Sequence, residues 1–168
     1  AAQNINQPEL INNIILRTKE KSWIVVLKAL ITCHHLMIHG TERVFQVMAT
    51  RTTVFSLENF SDSSGLGYDM SAFIRIYAEY LNERSATYRK MTGDFCKMKR
   101  GDNSEWKKMD DLKLLDSVKN LQNLLDKLTA CKVQSMHNPI IVAAFQLIYK
   151  DIIRMFSPYN EAMIQIME

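Results

Sequence analysis

Residues 22–40 read SWIVVLKALITCHHLMIHG, and this stretch decides the fold of the chain. Its side chains are apolar almost all round at helical spacing. One narrow polar stripe interrupts them, at intervals of four, three and four residues: Lys28, Thr32, His35 and His39. A helix of this kind lies between two neighbours and exposes one edge to water. We predict a buried central helix that Ser22 caps and that Gly40 ends with a positive backbone torsion.

The composition favours an all-α protein of one domain. The chain has 168 residues, 47% of them hydrophobic, and a single domain of this size buries roughly two thirds of its unfolded surface. The chain has only five glycines and three prolines, the residues most typical of turns. Leucine, isoleucine, methionine, lysine and glutamate, which are compatible with helices, occur throughout it. We therefore predict one domain over residues 1–168, built from helices.

Start and stop signals divide the rest of the chain into further helices. Besides the central helix, the predicted helices span residues 7–18, 41–50, 69–100, 110–130 and 139–166. The helix that begins at Asp69 is predicted to be one long helix that ends only at Gly101. Three apolar side chains are expected to tie the loop of residues 51–67 to the body: Phe55, Leu57 and Phe60.

The last two predicted helices bury different faces. Asp110 is expected to cap the helix of residues 110–130, and apolar spacing predicts its inner face: Leu112, Leu115, Val118, Leu121, Leu125 and Leu128. The final helix repeats polar residues every four positions, at Gln146, Lys150 and Arg154, which predicts a thin exposed edge. Ser157-Pro158 is expected to kink or restart it. Short connections between helices make antiparallel neighbours, so we predict a helical solenoid or compact bundle.

Two histidines four residues apart raise the alternative of a metal-dependent enzyme. His35 and His39 have the spacing that lets two imidazoles on one helix face share a metal ion. No glutamate completes an HExxH motif, no third ligand is indicated, and no nucleophile has a base at a recognisable spacing. We expect His35 and His39 to belong to the polar stripe and His34 to pack in the core. Neither enzymatic activity nor a metal or cofactor is predicted.

The cysteines and the apolar segments indicate the cellular environment of the protein. Cys33, Cys96 and Cys131 are odd in number, lie far apart and fall inside helical patterns, which is typical of a reducing compartment. No basic-then-apolar signal opens the sequence, and the longest run of low charge is too short to span a bilayer. We therefore expect a protein that is soluble or that contacts membranes from outside.

Basic side chains concentrate between residues 89 and 108. We call this set the basic window: Arg89, Lys90, Lys97, Lys99, Arg100, Lys107 and Lys108. With three acidic residues among them, the window carries a net +4, whereas the whole chain carries +3. Such a window suits phosphoinositide head groups, nucleic acid or only water, and four net charges supply a few kcal/mol at an anionic surface. Nucleic acid is the least favoured, because the aromatic residues are too scattered to form a stacking platform.

Two stretches and a series of short motifs resemble the ANTH domain of endocytic clathrin adaptors. The stretches are residues 22–40 and GYDMSAFIR at residues 67–75. The motifs follow in the family's own order: Tyr80-Leu81-Asn82-Glu83, Tyr88-Arg89, Asp94-Phe95, Lys99-Arg100-Gly101, Ala143-Ala144-Phe145, Lys150-Asp151 with Ile153-Arg154, and Tyr159-Asn160-Glu161. The resemblance runs from about Asn4 to Glu168 and includes every predicted helix.

The resemblance implies an α-solenoid of stacked antiparallel helices without catalytic activity. It implies binding to phosphatidylinositol 4,5-bisphosphate, recruitment and assembly of clathrin and adaptor complexes through a disordered tail, and sorting of synaptobrevin-type SNARE cargo. It also implies a cytoplasmic protein that is peripheral at plasma-membrane clathrin-coated pits and vesicles. The alternative is a trafficking scaffold of ENTH or VHS type without lipid specificity, which would not show the GYDM run of residues 67–70.

The chain also departs from the family pattern. The family's lysine-rich lipid motif, which ends in histidine, precedes the segment that matches residues 5–10, and further helices and a tail follow the segment that matches the end of this chain. We therefore expect a partial ANTH domain that lacks both ends. The basic window is then the candidate for lipid contact. Met163 and Met167 are candidates for the near wall of the SNARE groove, although packing against a further helix is favoured.

Overall fold

The computed structural model describes residues 6–99, 101, 104–132 and 137–167. Six α-helices make up most of this part of the chain: α1 (Gln7–Arg17), α2 (Trp23–His39), α3 (Glu42–Ala49), α4 (Gly67–Met91), α5 (Asp111–Ala130) and α6 (Pro139–Met167). Two short 3₁₀ turns, Phe95–Lys97 and Trp106–Lys108, lie between α4 and α5. Within the described ranges no strand occurs, so the predicted all-α class is confirmed.

The helices stack in layers around α2 and α4. The first three helices pack together, and α4 lies against α2, α3 and α5. The last helix, α6, packs on both α2 and α5. Because α2 contacts helices on several sides, most of its apolar surface is covered. Its exposed residues are the predicted polar stripe, at Lys28, Thr32, His35 and His39, together with Ile24 near its start.

The start of α2 differs from the prediction. Ser22 occupies the position before the first helical residue, as expected, but its side chain makes no capping hydrogen bond. The backbone N–H of Trp23 instead donates to Oδ2 of Asp62, at 2.8 Å. A loop carboxylate distant in sequence therefore satisfies an amide at this helix start, which a local capping rule could not anticipate.

The end of α2 also requires a correction. Gly40 has φ −73° and ψ 172°, so the predicted positive torsion is wrong. The glycine is needed for close approach, because a Cβ atom there would lie 2.4 Å from the carbonyl oxygen of Leu36 and 3.0 Å from Cγ2 of Val44. Its N–H donates to the same Leu36 carbonyl at 2.8 Å. The turn into α3 is therefore tight for steric rather than torsional reasons.

The loop between α3 and α4 is anchored as predicted. Phe55 and Leu57 are buried and Phe60 is half-buried. Asn82 of α4 adds hydrogen bonds to this anchor, since its Oδ1 accepts from the N–H of Val54 and of Phe55, at 3.1 and 2.9 Å. Its Nδ2 donates to the carbonyl of Phe55 at 2.8 Å. The loop is thus held by both apolar burial and one amide side chain.

Helix α4 is shorter than predicted. It ends at Met91 rather than near Gly101, because Thr92 adopts a left-handed conformation with φ 53°. The chain then turns, and the side chain of Asp94 accepts from the N–H of Cys96 at 3.1 Å to begin the 3₁₀ turn Phe95–Lys97. Apolar periodicity continues through this break in the sequence, which is why periodicity alone predicted one long helix.

Helix α5 has the predicted bounds but buries a different face. Asp110 caps it as expected, with Oδ1 accepting from the N–H of Lys113 at 2.8 Å. Leu112 and Leu115 are 83% and 54% exposed, so their assignment to the inner face is wrong. The residues that are buried are Leu114, Ser117, Val118, Leu121, Leu124 and Leu128. Leucine offers two overlapping stripes in this segment, and packing between α4 and α6 selects the second.

Helix α6 is continuous through Pro158, which is buried within it, so the predicted restart at Ser157-Pro158 is wrong. Its start agrees with the prediction, since Oδ1 of Asn138 accepts from the N–H of Ile140 at 2.9 Å. The solvent-exposed edge of α6 is wider than the one predicted from its repeated polar residues. Apolar side chains share that edge, and we call them the outer stripe of α6: Tyr149, Ile153, Phe156, Ile164 and Met167. No helix in the described ranges is both long and apolar enough to cross a bilayer.

The cysteines are free thiols. Burial raises the pKa of Cys33 and of Cys131 to about 12. Both therefore stay protonated and pack as small apolar groups, as expected from their places in the helical pattern.

Candidate functional site: a buried ion-pair network and the exposed basic and apolar surfaces

A buried network of charged and polar groups lies where α2, α4 and α6 meet. Oδ2 of Asp151 accepts from Nε2 of His34 and from the hydroxyl of Tyr80, each at 2.6 Å, and also from Nη1 of Arg84. Nη2 of Arg84 donates to Oδ2 of Asp94 at 3.0 Å. His34, Arg84 and Asp151 are at most 1% exposed. One carboxylate on α6 therefore accepts hydrogen bonds from side chains of two other helices, α2 and α4.

The hydrogen bonds define the tautomer of His34. An ionised Asp151 accepts only, so Nε2 of the imidazole must carry the proton it donates. The other nitrogen, Nδ1, lies 2.7 Å from the hydroxyl of Tyr77 and accepts from it. Both ring nitrogens of the neutral form thus have partners, and His34 packs in the core as predicted.

The charge states follow from burial and from the neighbours. Burial alone would raise the pKa of Asp151, but Arg84, His34 and Tyr80 together lower it well below its usual range. Burial lowers the pKa of His34 and outweighs the opposite effect of Asp151. The network therefore holds an ionised Asp151 against a charged Arg84 and a neutral His34. Apart from Nε of Arg84, which is buried without a hydrogen-bond partner among the described residues, these groups satisfy one another out of contact with solvent. The network can therefore fix the positions of the helices.

The histidines of the polar stripe lie together on the surface. The rings of His35 and His39 are exposed, and their centroids are 4.5 Å apart. In the part of the chain that the structure describes, no group of three histidine, cysteine, aspartate or glutamate side chains is arranged to hold a metal ion. The placement of all three histidines is therefore as the polar-stripe interpretation expected.

The structure distributes the basic window over several neighbours. Nη1 of Arg89 donates to the carbonyls of Ala49 and Arg51, at 3.1 and 2.8 Å, and so closes the end of α3. Lys90 lies 3.4 Å from Oδ1 of Asn120 on α5. These two side chains have protein partners and do not form one patch with the rest of the window.

The remaining members of the window lie along the connection between α4 and α5. Nζ of Lys97 lies 5.7 Å from the ring centroid of Phe45, and Lys99 is exposed. Lys107 and Lys108 form the exposed part of the second 3₁₀ turn, and Lys107 lines a cleft with Glu161 and Gln165 of α6. Arg100 lies outside the described residues. Lysines at 97, 99 and 108 are thus the exposed members whose charge faces solvent.

The two methionines proposed for a cargo groove lie near the end of α6. Met163 is half-buried against the core, and Met167 is 75% exposed. Met167 continues the outer stripe of α6, in which Phe156 is 66% exposed. The structure brings these apolar side chains to one helix face, and no described residue covers them.

The buried network is the feature that sequence reasoning missed. Its signal was present, because Arg84 and Asp151 are charged residues at positions where the apolar pattern of their helices requires burial. A buried charge needs a partner of opposite sign. One cationic and one anionic residue, both at positions that the apolar pattern predicts to be buried, indicate a buried ion pair even when the packing of the helices is unknown.

These features define a stack of packed helices with a polar network buried in an apolar core and with exposed basic and apolar surfaces. A family model described as "ANTH domain" matches residues 2–168. The chain therefore belongs to the ANTH domain family, as the resemblance of its motifs predicted.

Relatives from animals have the same segment. The chain is 48% identical to the human phosphatidylinositol-binding clathrin assembly protein, over 98% of this chain and 26% of the relative. It is 45% identical to human clathrin coat assembly protein AP180, over 98% of this chain and 18% of the relative. It is 41% identical to the Drosophila melanogaster phosphatidylinositol-binding clathrin assembly protein LAP, over 98% and 38%. The chain thus spans between about a fifth and two fifths of the length of these proteins.

Proposed function

We propose that this chain is the membrane-binding and cargo-binding part of an adaptor in clathrin-mediated endocytosis, without catalytic activity. The observation that carries the proposal is the match of residues 2–168 to the ANTH domain, together with relatives whose names include phosphatidylinositol binding and clathrin assembly. The adaptor would act as a peripheral protein on the cytoplasmic side of clathrin-coated pits and vesicles.

The lipid in this proposal is phosphatidylinositol 4,5-bisphosphate. The exposed lysines at positions 97, 99 and 108 would contact its phosphates. Each basic residue near an anionic membrane contributes about 1 kcal/mol. Contact of this strength is weak and sensitive to salt, and further contacts by a tail that engages clathrin and adaptor complexes would add through avidity.

The cargo in this proposal is a synaptobrevin-type SNARE. Met163 and Met167 would form the near wall of its groove, and the outer stripe of α6 would extend that wall. The alternative partner of this stripe is a further helix of the same domain. We also propose that residues 1–168 are one part of a larger ANTH domain, because an apolar stripe of this length needs an apolar partner.

Vesicle cosedimentation tests the lipid contact. The protein is mixed with phosphatidylcholine vesicles with or without phosphatidylinositol 4,5-bisphosphate, at low and physiological salt. We expect binding only with the phosphoinositide, falling steeply as salt increases. The double variant Lys99→Glu with Lys108→Glu should weaken binding at least about tenfold, since it reverses two exposed charges.

A matched control keeps the net charge of that variant. Lys113→Glu with Lys119→Glu changes two exposed lysines of α5 outside the basic window, and it should retain most of the binding. Binding that does not depend on the phosphoinositide would favour the ENTH- or VHS-type scaffold without lipid specificity. Equal losses in the two double variants would refute the role of the basic window.

A further inference from the structure

Side chains from three separate elements form a second cationic surface. We call it the cation cluster: His35 and His39 of α2, Lys97 of the first 3₁₀ turn, and Lys150 and Arg154 of α6. Helix α6 packs on both α2 and that turn, so the three elements adjoin. In each helix the two members are four residues apart and so share one face. The His35–His39 pair, whose ring centroids are 4.5 Å apart, and the Lys150–Arg154 pair therefore lie on adjoining helices.

The cluster gathers positive charge with little compensation. Among the described residues, no ion pair joins any of the five side chains to a carboxylate. Three acidic residues line a cleft together with Lys97: Glu42 of α3, Asp94 and Glu105. Asp94 is already paired with Arg84 at 3.0 Å. Glu42 already accepts from the hydroxyl of Tyr88 at 2.9 Å. Like charges held together in this way raise the affinity of a surface for anions.

The protonation of His39 reflects the same surroundings. Partial desolvation, and then the charges of His35, Lys150, Arg154 and Lys97, lower the pKa of His39. An anion bound between these groups would offset that repulsion and raise the pKa again. Binding of the anion and uptake of a proton are therefore linked, and each favours the other.

Phosphate is the anion that suits these donors. A phosphomonoester carries a charge of about −1.5 to −2 and three strong acceptor oxygens. The cluster presents ammonium, guanidinium and imidazole donors from both sides of the α2–α6 contact, and guanidinium pairs well with phosphate oxygens. A singly charged carboxylate would use only part of this donor set.

We infer that the cation cluster binds the phosphate groups of a phosphoinositide head group, and that protonation of His39 strengthens this binding as the pH falls from 7.5 to 5.5. The inference rests on the proposed lipid contact and adds a second site for it. Four of the five residues lie outside the basic window, which shares only Lys97 with the cluster. The two surfaces can therefore be tested separately.

The test titrates soluble inositol 1,4,5-trisphosphate into the protein by calorimetry, beside cosedimentation with phosphoinositide vesicles. Lys150→Glu, an exposed substitution, should lower the affinity for both ligands about tenfold or more. Lys119→Glu on α5 is the matched control and should change it less than threefold. The phosphate groups take up protons at about pH 6 and lose charge in the same range, so the histidine effect is measured against His39→Gln. From pH 7.5 to 5.5, the affinity of the unsubstituted protein should rise about threefold or more relative to that of His39→Gln.

The outcomes separate this inference from the proposed function. If vesicle binding is lost in Lys99→Glu with Lys108→Glu but unchanged in Lys150→Glu, the second site is refuted and the lipid contact stands. If phosphoinositide vesicles do not bind at all, both fail. Inorganic phosphate that binds as tightly as the inositol phosphate would overturn the assignment to a head group. A pH dependence of the affinity that is the same in His39→Gln as in the unsubstituted protein would overturn the histidine linkage.

Discussion

Asp151 accepts hydrogen bonds from four side chains, those of His34, Tyr80, Arg84 and Cys96. Asp94 is a second carboxylate that pairs with Arg84. We expect Asp151→Asn to lower the free energy of unfolding by about 3–5 kcal/mol, because it leaves the Arg84 guanidinium buried with incomplete compensation. Urea denaturation measures the loss. Asp126→Asn on the exposed face of α5 is the control and should change stability by less than about 0.5 kcal/mol.

A second substitution tests whether Arg84 and Asp151 act as a pair. Arg84→Met removes the cation, but it also leaves Asp94, whose side chain is 4% exposed, without its partner. The losses from Arg84→Met and Asp151→Asn should therefore be less than additive in the double variant, because each single substitution already disrupts the same ion pair. Fully additive losses would contradict this account of the network.

The stability of the protein should fall as the pH decreases below about 6.5. Because the pKa of His34 is lowered in the folded state, the unfolded chain takes up a proton that the folded chain does not. Stability is therefore constant on this account above the unfolded pKa of about 6.5 and is lost below it, by up to about 1.4 kcal/mol per pH unit. His34→Gln should reduce the slope between pH 6.5 and 5.5, measured by urea denaturation at each pH. An unchanged slope would show that another group is responsible.

At the scale of residues, the sequence carried more information than periodicity extracted from it. The exceptional placement of Arg84 and Asp151 was visible in the apolar pattern of their helices. Their pairing was not, because the two residues are 67 apart and meet only once α4 and α6 are packed. His34 shows the same limit, since its burial was predicted but its two hydrogen-bond partners lie on other helices.

Among the elements, the end of α2 gives the sharpest test of a steric role for glycine. Gly40→Ala should destabilise the protein by about 1–3 kcal/mol, because the new Cβ would lie 2.4 Å from a backbone oxygen. Gly93→Ala is the matched control. Its nearest obstacle is 4.0 Å away, so it should be neutral or stabilise by up to about 1 kcal/mol. Thermal unfolding of both variants compares them, and equal losses would refute the steric explanation.

Helix boundaries were predictable where the signal is local. Asp110 and Asn138 accept hydrogen bonds from amides two or three residues ahead, and both starts agree with the prediction. The end of α4 was not predictable in this way. Asp94, which begins the next turn, is also bound to Arg84 in the interior, so tertiary contacts contribute to the break after Met91. The prediction of the buried face of α5 was wrong for a related reason. Two overlapping leucine stripes could each be buried, and packing against neighbouring helices determines which one is.

For the whole molecule, the outer stripe of α6 gives a prediction about cargo. Met167→Glu should lower the affinity for a synaptobrevin-type SNARE peptide at least about tenfold, because burial of an apolar side chain of this size contributes about 1.5–3 kcal/mol. Fluorescence anisotropy with a labelled peptide measures the change. Leu112→Glu is the control, since Leu112 is as exposed but lies on α5. Unaltered binding in Met167→Glu would favour a further helix as the partner of the stripe.

The all-α class and the family were predictable from the sequence because both depend on patterns distributed over the whole chain. The arrangement of charged side chains on the surface was less predictable from the sequence. The described members of the basic window are close in sequence but meet different neighbours, with Arg89 bound to carbonyls at the end of α3 and Lys90 beside α5. The cation cluster, in contrast, joins His39 to Lys150 and Arg154 across more than a hundred residues, so no window of sequence contains it.

The ties to Asp151 have a mechanical consequence. In a solenoid whose units touch only their neighbours, the outermost helices can peel away while the middle stays intact. Here a single side chain fastens the last helix to the second and the fourth. Tension applied at α6 is therefore transmitted directly to α2 and α4, and α6 can separate from them only if this buried network opens.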